Sequence, residues 1–109
     1  MSDNANASPT GIEGLDVEVM QIPVISTTHI SKATSEALAA GQHPWVHHCA
    51  RYEFGWFISV PTEDFQMSLD PPPPVELQEL FAWARLNKFG WIRLDSDGSH
   101  VEVLKTFDW

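Results

Sequence analysis

The stretch that decides the fold is Pro71-Pro-Pro-Pro-Val-Glu-Leu-Gln-Glu-Leu-Phe-Ala-Trp-Ala-Arg-Leu-Asn-Lys88. Pro71, Pro72 and Pro73 each precede another proline and are pushed toward extended backbone, so no helix can run through them. Pro74 is the first that can occupy the opening position of a helix, where its missing N–H is not needed. From there Leu77, Leu80, Phe81 and Ala84 recur at three- and four-residue spacing and form one apolar stripe. Glu76 and Glu79 near the start, and Arg85 and Lys88 near the end, match the helix dipole. A helix over 74–88 with one buried face needs a sheet to cover, and the flanking sequence offers one.

Upstream, Val17 to Ile25 is β-branched and apolar and reads as a first strand, with Pro23 marking a bulge, an end or an edge. Ser31 is placed to cap a helix that runs to Ala40, with Gly41 free to take the left-handed terminating conformation. After a loop over 41–49, Tyr52 to Val60 reads as a strand with Phe54, Trp56, Ile58 and Val60 on one face. Residues 62–73 read as a long loop. Downstream of the decisive helix, Trp91–Leu94 and His100–Leu104 flank Asp-Ser-Asp-Gly-Ser, the composition of a hairpin turn. The expected order is β-α-β-α-β-β: an α+β two-layer sandwich, with a four-stranded mixed sheet, two helices on one face and a C-terminal hairpin. Two helical crossovers favour parallel pairing of the first three strands. Lys105–Trp109 is too aromatic to be left wholly in water without cost.

The bulk numbers agree with one small domain over 16–109, preceded by a polar tail over 1–15 that lacks periodicity and reads as disordered. One cysteine, Cys49, rules out an intrachain disulfide and a four-cysteine zinc site. The N-terminal stretch is not a signal peptide of the usual kind, and no apolar run approaches membrane-spanning length, so the cytoplasm is the expected compartment. Six Lys/Arg against fifteen Asp/Glu give a formal charge of −9, which repels a free nucleic-acid backbone and suits either solubility or a basic protein partner.

Chemical motifs are few. His43, His47, His48 and Cys49 form the densest set of potential metal ligands, and a loop could bring His47 and Cys49 together on a tetrahedral ion. With one thiolate and no Cys-x-x-Cys pair, a loop lying over the core with solvated imidazoles accounts for the same residues. His29, at the end of the first strand and before a helix, stands where α/β folds place ligand sites; a satisfied capping or core histidine is the commoner outcome there. His48 and Cys49 are adjacent, and adjacent residues of an extended chain point apart, so they do not form a nucleophile–base pair. Asp95-Ser-Asp-Gly98 resembles part of a calcium loop, but Arg93 and Leu104 would then fall where oxygen ligands are required. No glycine-rich phosphate loop, serine elbow or His-Glu-x-x-His is present.

Ile25-Ser-Thr-Thr-His-Ile30, Gly55-Trp-Phe-Ile-Ser-Val-Pro61, Trp91-Ile-Arg-Leu-Asp-Ser-Asp-Gly98 and Phe107-Asp-Trp109 resemble a family of small uncharacterised bacterial proteins associated with plasmids and integrated conjugative elements. The likeness spans residues 22–109 and implies no assigned activity. The leading expectation is therefore a non-enzymatic interaction protein, without a cofactor. It would act on a protein partner, a basic nucleic-acid-binding protein, and restrain a host defence or DNA-handling protein. The acidic surface expected to do this comprises Glu63, Asp64, Asp70, Glu76 and Glu79. The competing expectation is a small metal-binding protein or enzyme built on His29, His47, His48 and Cys49.

Overall fold

The computed structural model describes residues 16–109, so the tail read over 1–15 lies outside the described residues. Four strands form one mixed sheet: β1 (Val24–Ser26), β2 (Cys49–Tyr52), β3 (Gly55–Ser59) and β4 (Trp91–Asp95), in the order β1-β4-β3-β2. β1 runs parallel to β4, with Ile25 beside Leu94. β3 is antiparallel to β4, with Ile58 beside Ile92, and to β2, with Cys49 beside Ile58. Three helices, α1 (Lys32–Ala39), α2 (Glu63–Met67) and α3 (Val75–Leu86), complete the α+β architecture. No helix among the described residues is long and apolar enough to cross a membrane.

The two longer helices form where the caps and stripes place them. Ser31 Oγ accepts from the Thr34 N–H at 3.2 Å, and Gly41, at φ 76°, ends α1 with Gln42 N–H donating to Ala37 O at 2.8 Å. In α3 the stripe Leu77, Leu80, Phe81 and Ala84 is fully buried. It meets Ile25, Trp56, Ile58, Ile92 and Leu94, alternate residues of three strands, together with Leu38 of α1 and Ile30. Both helices thus bear on one sheet face, and burying a side chain of this size contributes roughly 1.5–3 kcal/mol. Tyr52, Phe57, Trp91 and Arg93 alternate onto the opposite face and stay half-exposed.

The element order departs from β-α-β-α-β-β. The hairpin is not C-terminal: it lies at β2 and β3, turning through Glu53–Phe54, so the expected strand 52–60 holds β3 and only Tyr52 of β2, whose other residues, 49–51, lie ahead of it. Gly55 makes this close turn fit, because a Cβ there would stand 1.9 Å from the Leu94 carbonyl oxygen. Asp95–Gly98 does turn, with Gly98 N–H donating to Asp95 O at 2.9 Å. Residues 100–104 form no strand, because β4 is central and both its edges are taken by β1 and β3. The chain crosses instead to the outer side of β1, where Ser26 N–H donates to Ser99 O at 2.8 Å and Ser99 N–H to Val24 O at 3.2 Å. Gly98 packs so closely on Ile25 that a Cβ would lie 2.4 Å from its carbonyl carbon. The first strand is shorter than Val17–Ile25, starting only after Pro23, which has no N–H to give a ladder. Among the four strands parallel pairing is confined to β1 and β4, and Ile25 adds one isolated parallel bridge to Ser99. The long loop after Val60 contains α2, capped by Thr62 Oγ1 accepting from the Phe65 N–H at 3.2 Å.

Candidate functional site

The acidic residues singled out by the sequence fall into two kinds. Glu63 and Asp64 in the first turn of α2, Asp70 in the following loop and Glu79 on α3 are all exposed. Among the described residues the only ion pair is Arg93–Asp95, so these four carboxylates have no cationic partner. Glu76 is different. Its Oε2 accepts from the Thr34 hydroxyl at 2.6 Å and from the Ser31 N–H at 3.1 Å, tying the start of α3 to the start of α1. Burial pushes its carboxyl up, but the bonds from Thr34 and Ser31 outweigh that and hold it below the ordinary glutamate value. Glu76 is a structural tie between the two helices.

The helices that carry exposed carboxylates also carry bare apolar groups. Val75, Glu79, Ala82 and Leu86 follow one another at helical spacing along the outer face of α3, and Val75 and Leu86 are 67% and 80% exposed. Met67 of α2 is 76% exposed. α2 is pinned to α3 by Arg85, whose Nη1 donates to Pro61 O at 2.9 Å and to Gln66 Oε1 at 3.1 Å. The one arginine of these two helices is therefore already engaged in positioning them.

The four residues of the metal reading are not brought together. His29 is buried, and both its nitrogens are occupied: Nε2 accepts from the Val101 N–H at 2.8 Å, so the proton sits on Nδ1, which donates to Lys105 O at 2.8 Å. The ring straps residues 99–109 to the single 3-10 turn Thr27–His29, and Phe107 N–H adds a bond to Thr28 O at 2.7 Å. His47 lies against Phe65, with ring centroids 4.3 Å apart, whereas His48 stacks on Trp91 at 6.0 Å. Cys49 faces the core beside Ile58, and burial pushes its thiol up, away from the reactive thiolate. Among the described residues no three His, Cys, Asp or Glu side chains are grouped so as to hold a metal ion.

A second surface was not singled out from the sequence. At the end of the sheet, Tyr52, Phe54, Trp56 and Trp109 wall a cleft of about 300 Å³, with Arg51 and Glu53 among its lining. Beside it the Tyr52 hydroxyl donates to Asp95 Oδ2 and accepts from Arg93 Nε at 2.9 Å, while Arg93 Nη2 stands 3.1 Å from the same carboxylate oxygen. The Tyr52 hydroxyl and the Asp97 N–H hold the Asp95 carboxyl below the usual aspartate value, with Arg93 adding to them against the effect of burial. The Arg93 guanidinium also lies over the Tyr52 and Phe57 rings, at 5.0 and 5.7 Å. No sequence signal marks this cleft, since its walls come from positions 51–56 and 109 and meet only in the fold.

No curated protein and no solved structure matches the chain. Residues 22–109 match the family of unknown function DUF5983, C-terminal domain, and the chain belongs to that family.

Proposed function

We propose that this protein is a non-enzymatic interaction module that binds a basic protein through the outer side of α2 and α3. One observation carries the reading: α2 and α3 and the loop between them bear exposed Met67, Val75 and Leu86 as well as exposed Glu63, Asp64, Asp70 and Glu79, and none of those carboxylates has a cationic partner among the described residues. Apolar groups left in water at the centre of a patch favour association, and a rim of one charge selects a partner of the other sign and speeds encounter. The formal charge of −9 extends the same preference to long range and disfavours direct contact with phosphate backbones. In the setting implied by the resemblance to proteins of plasmids and integrated conjugative elements, the partner is a host defence or DNA-handling protein. Its phosphate-binding groove would be occupied, and so inhibited, in the cytoplasm.

The test is capture from a lysate of the native host on the immobilised protein, beside a Glu63→Lys/Asp64→Lys/Glu79→Lys variant and a Leu86→Asp variant. A basic protein should be retained by the wild type, eluted by rising salt and lost from both variants. A retained partner indifferent to salt and to all these substitutions overturns the proposal.

A further inference from the structure

The cleft at the end of the sheet has the chemistry of a cation site. Trp109 is 54% exposed, yet its indole N–H is fixed to Ile30 O at 2.8 Å, so what it presents outward is ring. Phe54 is 46% exposed and packs edge-on to Tyr52, at 6.2 Å and 78°. The Tyr52 hydroxyl is taken up by Asp95 and Arg93, and the Arg93 guanidinium covers one face of the ring at 5.0 Å, which leaves the other face and the edge. Trp56 forms the inner wall and already carries a cation: the Arg51 guanidinium lies over its ring, 6.0 Å from the centroid. Aromatic faces bear negative quadrupole density, and several around one cleft attract a weakly hydrated organic cation far better than an anion or a small hydrated metal ion. Glu53 lines the same cleft, is exposed and has no ion pair among the described residues. The acidic charge of the whole chain raises the local concentration of cations further.

We propose that this cleft binds an organic cation, a guanidinium or an alkylated ammonium group, between Trp109, Phe54 and Tyr52 with Glu53 as counter-ion. The bound group competes with Arg51 for the face of Trp56. Arg51 is the one cation in the cleft's lining that a ligand anion would meet, and the field of the whole molecule is against it. The site does not depend on the helical surface or on any protein partner.

The experiment titrates the full chain, at constant ionic strength, with tetramethylammonium chloride and separately with Nα-acetyl-arginine amide, following the tryptophan indole resonances by NMR. Tert-butanol and Nα-acetyl-citrulline amide are the neutral counterparts. At least one cation should shift the Trp56 and Trp109 indoles saturably while its neutral counterpart does not. Binding of tetramethylammonium would mark a free ammonium compound as the source, whereas binding of the arginine derivative alone would mark a side chain. Phe54→Ala and Trp109→Ala should each weaken binding about tenfold or more; Phe54 is exposed, so its variant keeps the test open if loss of the Trp109–Ile30 bond unsettles the fold. Arg51→Ala should tighten binding severalfold by removing the internal competitor. The proposal is overturned if neither cation shifts the indoles, if the neutral counterparts match the cations, or if Arg51→Ala weakens binding.

Discussion

The helical side and the strapped end of the sheet treat their polar groups in opposite ways. On α2 and the outer face of α3, Glu63, Asp64 and Glu79 are exposed and have no ion pair among the described residues, and the same two helices expose apolar Met67, Val75 and Leu86. At the sheet's end many polar atoms are already engaged, among them both His29 nitrogens, the Trp109 N–H, the Tyr52 hydroxyl and the Asp95 carboxylate, whereas the buried Trp56 N–H has no partner among the described residues. What remains there is chiefly the faces of rings, with Arg51 and Glu53 beside them. The first region is suited to recognition by charge and apolar contact. The second combines structural bonding with a cleft, and substitutions there should reach the fold as well as any ligand.

The largest expected effect follows at His29. Replacing it with Ala leaves a void in a fully buried position and removes the partners of Val101 N–H and Lys105 O at once. The cost should be about 2–4 kcal/mol, from the lost bonds together with the cavity. Urea unfolding measures it. Residues 101–105 should also gain amide hydrogen exchange beyond what global destabilisation explains, since His29 bonds to both ends of that stretch. A loss under about 1 kcal/mol would mean that segment is held by other contacts, and the contrast between the two regions would weaken.

How much of this could be read from the chain alone depends on how local each signal is. α3 was legible because four prolines, an apolar stripe and terminal charges all lie within eighteen residues. α1 was legible from Ser31 and Gly41 for the same reason. The hairpin was not: the alternation of Trp56, Ile58 and Val60 continues back to Phe54, which is in the turn, and no Asn-Gly or Asp-Gly announces it. Asp95–Gly98 carries turn chemistry, but where the chain goes afterwards is decided by which sheet edges are free. Four of the five acidic surface residues are exposed as read, whereas Glu76 is tied to Ser31 and Thr34, more than forty residues away. Distant partners leave no local pattern.

Glu76 sharpens the comparison because it sits on the acidic helix yet behaves like the strapped end. Glu76→Ala leaves the Ser31 N–H and the Thr34 hydroxyl without this acceptor and should cost about 1–2 kcal/mol at neutral pH. The sign of the pH dependence follows from its depressed folded pKa: the stabilisation is fully present above the unfolded glutamate value and is lost as pH falls through the folded one. Urea titrations of wild type and variant should therefore differ most at neutral pH and converge in acid. A gap independent of pH would show that the loss comes from packing and not from the ionised carboxylate.

Glu79→Lys should show the smallest effect on stability and the clearest one on recognition. Glu79 lies one turn further along α3 than Glu76, beyond the first turn where the dipole acts most strongly, and is exposed. Reversing its charge should move unfolding free energy by no more than about 0.5 kcal/mol. If the helical side binds a basic protein, the same substitution should slow association and flatten its dependence on salt, with little change in dissociation, because a rim charge steers encounter more than it holds the complex. Stopped-flow association at two salt concentrations separates the two rates, and unfolding of the same sample checks the fold. If Glu79→Lys instead destabilised the protein as much as Glu76→Ala, Glu79 would have a structural partner of its own. The helical side would then serve the fold as fully as the sheet's end does, and its charge would no longer be free for a partner.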